Sequence, residues 1–161
     1  MTNYCLPVVP RIILGIIDPL AVTLAAISAI SDPAAFYVHQ VPKPVDHPHE
    51  IEVYTRVISL NIAALMLSIA ASQVIGVWIN KSASTIKWLM ISHFLADILY
   101  LYSAYEAVGK DYFWNPSQWN SGMWGLIITD NLFNAARILS VLGVFGPLVK
   151  DRESREWKFN S

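Results

Sequence analysis

The segment from Arg11 to Ser31 reads RIILGIIDPLAVTLAAISAIS, a run of mostly apolar residues. A helix needs about 20 such residues to cross a bilayer core of about 30 Å. Asp18-Pro19 interrupts the run, whereas a secretory signal peptide has a short uninterrupted apolar core and a small-residue cleavage site. The segment is therefore predicted to be the first transmembrane helix of the mature protein.

Three more runs of this kind follow, at about residues 54–79, 85–107 and 122–149. The proline-rich stretch Pro33–Glu52 is predicted to be a loop outside the membrane. Asn80-Lys81-Ser82 is long enough only to link antiparallel neighbours. The chain is therefore predicted to be all-α, an integral membrane four-helix bundle with antiparallel up-down topology. Residues 1–161 form a single transmembrane domain in this prediction.

Composition supports the same class. Hydrophobic residues make up 55% of the chain and charged residues only 14%, against about 25% charged residues in soluble domains. The formal net charge of −1 supplies no basic field to attract nucleic acid.

The distribution of basic residues predicts the orientation. Four spans place both termini on the same side, where seven Lys and Arg residues lie against three on the other side. Because cytosolic segments carry the excess of Lys and Arg, we expect a multi-pass protein with cytosolic termini, located in the endoplasmic reticulum. The lipid bilayer is thus one expected partner, and a homodimer is possible.

Polar side chains inside the apolar runs indicate a functional site. A charged group at the middle of a bilayer costs at least about 2.5–3.5 kcal/mol, so such groups usually serve a function. The charged or ionisable candidates are Asp18, His93, Asp97, Asp130 and Arg137. The amide candidates are Asn61, Gln73, Asn131 and Asn134.

Their spacing indicates which of them share a helix face. The same four-then-three spacing occurs in the third span at His93, Asp97 and Tyr100, and in the fourth at Asp130, Asn134 and Arg137. A rise of 1.5 Å per residue places Asp97 and Asp130 at similar depths near the midplane. We therefore predict that the two faces oppose each other.

Simpler structural roles remain open at each position. Asp130 and Arg137 could form an ion pair that ties helices together, and His93 could be an interhelical hydrogen-bonding residue. Asp18 could satisfy backbone groups freed by Pro19.

Two further groups of polar residues are not predicted to take part in catalysis or metal binding. Asn61, Gln73 and the small residues of the second span are typical helix-packing positions. The first loop contains His39, Asp46, His47, His49 and Glu50, but no helix sets their spacing and no cysteine accompanies them. No metal site is predicted. No phosphate-binding, nucleophile-elbow or dinucleotide motif is present, so no cofactor is expected.

Two carboxylates and an arginine in a dry pocket favour acid–base chemistry. Burial raises a carboxylate pKa and a nearby arginine lowers it, so two aspartates can be held in opposite protonation states. Such a pair can open an epoxide, one acid protonating the ring oxygen while the other activates water or a hydroxyl. A group of soluble epoxide hydrolases uses an aspartate–arginine–aspartate set in this way, on an unrelated fold, so the analogy is one of residue type only.

Several segments carry a family resemblance. They are the proline-rich start, RIILGIIDPL, HFLADILYLYSAY at residues 93–105 and WNPSQWNSGMWG at residues 114–125. With these the chain resembles a family of small four-span fungal membrane proteins. Some members are suggested to hydrolyse or cyclise epoxides in polyketide pathways. The resemblance implies a lipophilic secondary metabolite as substrate.

These arguments together predict the site. The predicted catalytic residues are Asp97, Asp130, Arg137 and His93. The predicted substrate-binding residues are Asp18, Asn61, Tyr100, Asn134 and Trp124.

Three alternatives of other classes remain. One is a sterol-type double-bond isomerase, because the chain is also similar to the emopamil-binding type. The acids that this type carries in its early helices are poorly matched here, since Asp18 is one candidate and the second span offers only the amide Asn61. The others are a non-catalytic membrane assembly protein and a proton-coupled carrier, the last disfavoured because four spans leave little room for alternating access.

Overall fold

A computed structural model of the chain describes residues 5–38 and 48–148. Residues 39–47 of the first loop lie outside the described residues, and these include His39, Lys43, Asp46 and His47. The side chains of His49 and Glu50 lie outside them too. So do the predicted end of the fourth span at residue 149 and the basic residues of the C-terminal tail.

The described part of the chain is all-helical, as predicted, and contains no β-strand. Helix α1 is Val8–Ser31 and α2 is Pro33–Val38. Helix α3 is Pro48–Val74, extended by a π-helical turn at Ile75–Ile79. Helix α4 is Ala83–Val108 and α5 is Lys110–Phe113, followed by a 3₁₀ turn at Pro116–Gln118. Helix α6 is Ser121–Val141.

Two boundaries differ from the prediction. The predicted loop Pro33–Glu52 contains α2 and the first residues of α3. Helix α6 ends at Val141 rather than near residue 149. There the N–H of Gly143 bonds the carbonyl of Ser140, and the N–H of Val144 bonds that of Leu139. Gly143 has a φ of 77°, so this is the glycine-dependent C-cap that commonly ends helices.

Two helical stretches are long and apolar enough to cross a membrane by length and composition. They are Val8–Ser31, with 24 residues, and Thr55–Ile79, with 25 residues. Helices α4 and α6 are of comparable length, but they contain more charged and polar residues, such as Asp97 and Arg137, and are therefore less apolar.

The four long helices pack as two pairs. Helix α1 lies against α3, and α4 lies against α6. Small side chains, Ala26, Ala29 and Ala63, are buried between α1 and α3 together with Phe36 of α2. The two pairs contact each other mainly at one end, where the π-helical turns Ile13–Ile17 and Ile75–Ile79 meet α4 and α6. This end therefore holds the pairs together.

Pro19 explains the π-helical turn inside α1. Proline has no N–H, so the carbonyl four residues earlier, that of Gly15, loses its helical donor. The chain accommodates this with a wider turn in which the N–H of Asp18 bonds the carbonyl of Ile13. The indole N–H of Trp78 donates to the freed Gly15 carbonyl at 2.8 Å. The Asp18 carboxylate is therefore not needed for this backbone group.

Gly15 permits the close approach of the two π-helical turns. A Cβ atom at this position would lie 2.6 Å from Cγ1 of Val77 and 2.7 Å from the indole nitrogen of Trp78. The bulge and this close contact set the rotation of α1 just before Asp18. As a result, the Asp18 side chain points inward and the residue is only 1% exposed.

The described chain buries several polar side chains and exposes many large apolar ones, which is unusual for a water-soluble bundle. Asp18, Gln73 and Arg137 are at most 3% exposed. Large apolar residues point outward on all four long helices. Examples are Leu24 at 58%, Leu65 at 65%, Leu99 at 68% and Ile128 at 57%. Exposed apolar surface on this scale marks a site of contact with lipid or with other proteins.

Candidate functional site

Arg137 lies at the centre of a buried ion-pair network. Its Nη2 atom donates to Oδ2 of Asp18 at 2.5 Å, and its Nη1 atom donates to Oδ2 of Asp97. The same Nη1 atom donates to Oδ1 of Asn134 at 3.0 Å. The two aspartates come from α1 and α4, and the planar guanidinium fork can hold a carboxylate at each of its ends.

Gln73 brings α3 into the network. Its side-chain amide donates to the same Asp18 oxygen, Oδ2, at 2.7 Å. All four long helices are thus linked at one level, directly above the π-helical turns that join the pairs. In a low-dielectric interior such charge-assisted hydrogen bonds are stronger than neutral ones.

His93 and Ser72 form a second polar link between the pairs. The Ser72 hydroxyl donates to the Ile69 carbonyl at 2.7 Å, so its oxygen is left to accept from Nε2 of His93 at 3.2 Å. This arrangement assigns the proton of the imidazole to Nε2. Because a general base must accept the hydroxyl proton, the pair is not arranged as an activated serine nucleophile.

Several buried polar atoms around the network have no hydrogen-bond partner. Within the described residues these include Oδ1 of Asp18, Oε1 of Gln73, Oδ2 of Asp130 and Nδ2 of Asn134. Leaving a buried donor or acceptor unpaired costs about 1–3 kcal/mol, and such groups are rare in native proteins. Their concentration around one arginine indicates a place for a polar ligand group or water.

Exposure differs sharply among the ion-paired residues. The Asp97 side chain is 25% exposed, whereas those of Asp18 and Arg137 are 1% and 4% exposed. Asp97 is therefore the carboxylate of the pair that a ligand can reach. No group of three or more His, Cys, Asp or Glu side chains that could hold a metal ion occurs in residues 5–38 and 48–148.

Residues 3–147 match the model of a family described as a domain of unknown function, DUF7704. The chain belongs to this family. No curated protein and no solved structure matches it. The match spans every residue predicted for the site, and it assigns no reaction to the DUF7704 family.

The structure brings most of the predicted site residues together. Asp18, Asp97, Asn134 and Arg137 share the network. His93 is buried one helical turn from Asp97, the spacing predicted for one face of α4.

Asp130 does not form an ion pair with Arg137 in the described chain. In the described chain the ion pairs of Arg137 are to Asp18 and Asp97, so the proposed structural pair of Asp130 and Arg137 does not form. Asp130 lies one turn before Asn134 on α6. The charges of Asp97, Arg137 and Asp18 all lie near enough to act on it.

The other predicted binding residues are Asn61, Tyr100 and Trp124. Asn61 is exposed and Tyr100 is half-buried. Trp124 is 42% exposed and packs edge-on against Trp119, with ring centroids 4.8 Å apart.

Gln73 and Ser72 were interpreted from sequence as packing positions, yet they hydrogen-bond to Asp18 and His93. A depth comparison could have found Gln73. It lies six residues before the end of its helix at Ile79, and Asp18 lies seven residues after Arg11. At 1.5 Å per residue the two are at nearly the same depth.

Proposed function

We propose that this DUF7704 protein is a multi-pass membrane enzyme that opens the epoxide of a lipophilic substrate, by hydrolysis or by cyclisation, through aspartate acid–base catalysis. The observation that carries the proposal is Arg137 between Asp18 and Asp97, surrounded by buried polar atoms without partners. A purely structural ion-pair network gains by satisfying all its members. The unpaired atoms around this one favour a substrate site.

The membrane part of the proposal rests on the inside-out distribution of side chains. Large apolar residues face outward on all four long helices, and the charged residues Asp18 and Arg137 are buried. Lipid can solvate such a surface, because a helix satisfies nearly all of its own backbone groups. We propose that α1, α3, α4 and α6 each span the bilayer, with both termini in the cytosol, in the endoplasmic reticulum.

The orientation is tested by glycosylation mapping in microsomes. Acceptor sites added at the N terminus and at the C terminus should stay unmodified, because the excess of Lys and Arg holds these ends on the cytosolic side. A site inserted between Pro33 and Glu52 should be modified. Modified termini together with an unmodified loop would reverse the orientation. Modification of one terminus alone would contradict an even number of spans.

The chemistry follows from the accessible carboxylate. Asp97 is held by Arg137 and partly exposed, so it can accept a proton from a water or hydroxyl nucleophile. Nδ2 of Asn134, a donor, and Oε1 of Gln73, an acceptor, have no hydrogen-bond partner within the described residues. A hydroxyl group needs one donor and one acceptor of this kind. An apolar substrate body would reach the site from the lipid.

A double-bond isomerase of the sterol type receives less support. Such an enzyme develops positive charge on its substrate, and a guanidinium at the centre of the site disfavours a nearby cation.

Turnover in isotopically labelled water tests the proposal. Detergent-solubilised protein is incubated with a lipophilic epoxide of polyketide type and, separately, with a sterol, in water labelled with ¹⁸O and deuterium. Hydrolysis leaves one solvent oxygen in the product, and cyclisation leaves none but adds a ring. Isomerisation instead places deuterium on carbon of the sterol. Carbon-bound deuterium in the sterol, with the epoxide untouched, would overturn the assignment.

A further inference from the structure

We infer that Asp130 is the group that donates the proton to the epoxide oxygen, that Asp97 is the base, and that Asp18 is a positioning residue that holds Arg137. This inference rests on the proposed function, because it assigns roles within the same site. It follows from how differently the three carboxyl groups are paired.

The Oδ2 atoms of the two ion-paired aspartates accept hydrogen bonds, whereas Oδ2 of Asp130 accepts none in the described chain. Oδ2 of Asp18 accepts from Arg137 and Gln73, and Oδ2 of Asp97 accepts from Arg137. Oδ2 of Asp130 is buried and has no hydrogen-bond partner. Ionisation would place negative charge on this buried oxygen with no donor to stabilise it, which costs more than keeping the acid neutral. The surroundings of Asp130 therefore favour the form that carries a proton.

The neighbouring charges lead to the same conclusion. The charge of Asp97 lies near enough to act on Asp130, and the guanidinium of Arg137 is already engaged by Asp18 and Asp97. Two carboxyl groups that share a site do not both ionise readily, so one of them keeps a proton. Since Arg137 stabilises the charge on Asp97, the proton belongs on Asp130.

The exposed fractions of the Asp97 and Asp18 side chains indicate which of them is the base and which is the positioning residue. The Asp97 side chain is 25% exposed, while that of Asp18 is 1% exposed. A base must come within hydrogen-bond reach of the nucleophile it deprotonates. Asp97 meets this requirement. Asp18 is enclosed, and its bonds orient the guanidinium.

The reaction step then balances without a cofactor. The Asp97 carboxylate takes the proton from the O–H of water or of a substrate hydroxyl. That oxygen forms a bond to one epoxide carbon, and the bond from this carbon to the ring oxygen breaks. The ring oxygen takes the proton of Asp130 and becomes a hydroxyl. Proton transfer from Asp97 back to Asp130 restores the starting state.

Infrared spectroscopy of the resting protein tests the assignment without turnover. A buried protonated carboxyl group absorbs apart from ionised carboxylates. We expect this band in the wild type and in Asp130→Glu, and its loss in Asp130→Asn. Asp97→Asn should lose absorption of an ionised carboxylate, whereas Asp130→Asn should lose none. A band that survives in Asp130→Asn, or that is absent from the wild type, would overturn the inference. Neither result depends on epoxide opening, so failure here differs from failure of the proposed function.

A pair of substrates separates the acid from the base in the reaction itself. The probes are a terminal long-chain alkyl epoxide and its trifluoromethyl-substituted analogue, whose alkoxide leaves more readily. Asp130→Asn should lose roughly a hundredfold in kcat on the alkyl epoxide and clearly less on the fluorinated one. Asp97→Asn should lose equally on both. Equal losses for both variants on both probes would contradict the assignment of Asp130 as the acid.

Discussion

Replacing Asp97 by asparagine is expected to lower epoxide turnover by roughly a hundredfold or more, the usual effect of losing a general base. Asparagine keeps an oxygen that can accept from Arg137, so the packing around the network is preserved. The variant should purify from detergent as a folded, monodisperse species with the elution volume and thermal midpoint of the wild type within a few degrees. Initial rates over a range of substrate concentrations give kcat and KM separately, and the loss should fall on kcat.

The matched control for this variant is Asp111→Asn. Asp111 lies in the short helix α5 and is exposed, so the same chemical change there should leave both kcat and stability unaltered. If Asp97→Asn retains full activity, Asp97 is not the base. If the control loses as much activity as Asp97→Asn, the effect is not specific to the network.

Replacing Arg137 by methionine is expected to have the largest effect on stability. The change leaves the buried carboxylate of Asp18 and the partly exposed carboxylate of Asp97 without their cation, and breaking one side of a buried ion pair costs roughly 3–5 kcal/mol. Unfolding in detergent, followed by tryptophan fluorescence, should show a much lower thermal midpoint. Arg56→Met is the control, because Arg56 is exposed and exposed substitutions usually change stability by less than about 0.5 kcal/mol.

A triple variant separates the structural role of the charges from their catalytic role. Combining Arg137→Met with Asp18→Asn and Asp97→Asn removes the three charges of the ion pairs together. Because a buried ion-pair network can often be exchanged for neutral side chains without loss of stability, we expect much of the thermal midpoint to return. Activity should stay absent. Recovery of turnover in the triple variant would show that the network is dispensable for catalysis, and an unchanged midpoint in Arg137→Met alone would show that it does not tie the helices together.

The positions of the polar residues could largely be read from their spacing. Four-then-three intervals placed His93 with Asp97 and Asn134 with Arg137, and each pair shares a face in the structure. Regular helices have a fixed repeat, so residues one turn apart are neighbours whatever the surroundings. This argument reaches no further than a single helix.

The partners of Arg137 could not be read in this way. Asp18 is separated from it by 119 residues and Asp97 by 40. Which carboxylate meets the guanidinium depends on how each helix is rotated about its own axis. For α1 that rotation is set by the π-helical turn before Pro19 and by the contact of Gly15 with Val77 and Trp78, features of packing rather than of spacing.

The amino-acid sequence by itself determined the all-helical class and the approximate location of the long helices, because apolar runs and helical periodicity act locally along the chain. It also determined which side chains stand out as charged groups within apolar segments. Only the tertiary structure decided that α1 pairs with α3 and α4 with α6, that Gln73 joins the site, and that Oδ2 of Asp130 is buried without a hydrogen-bond partner. The physical reason is that an ion pair between helices is selected by the burial and geometry of several segments at once, and no single segment encodes them.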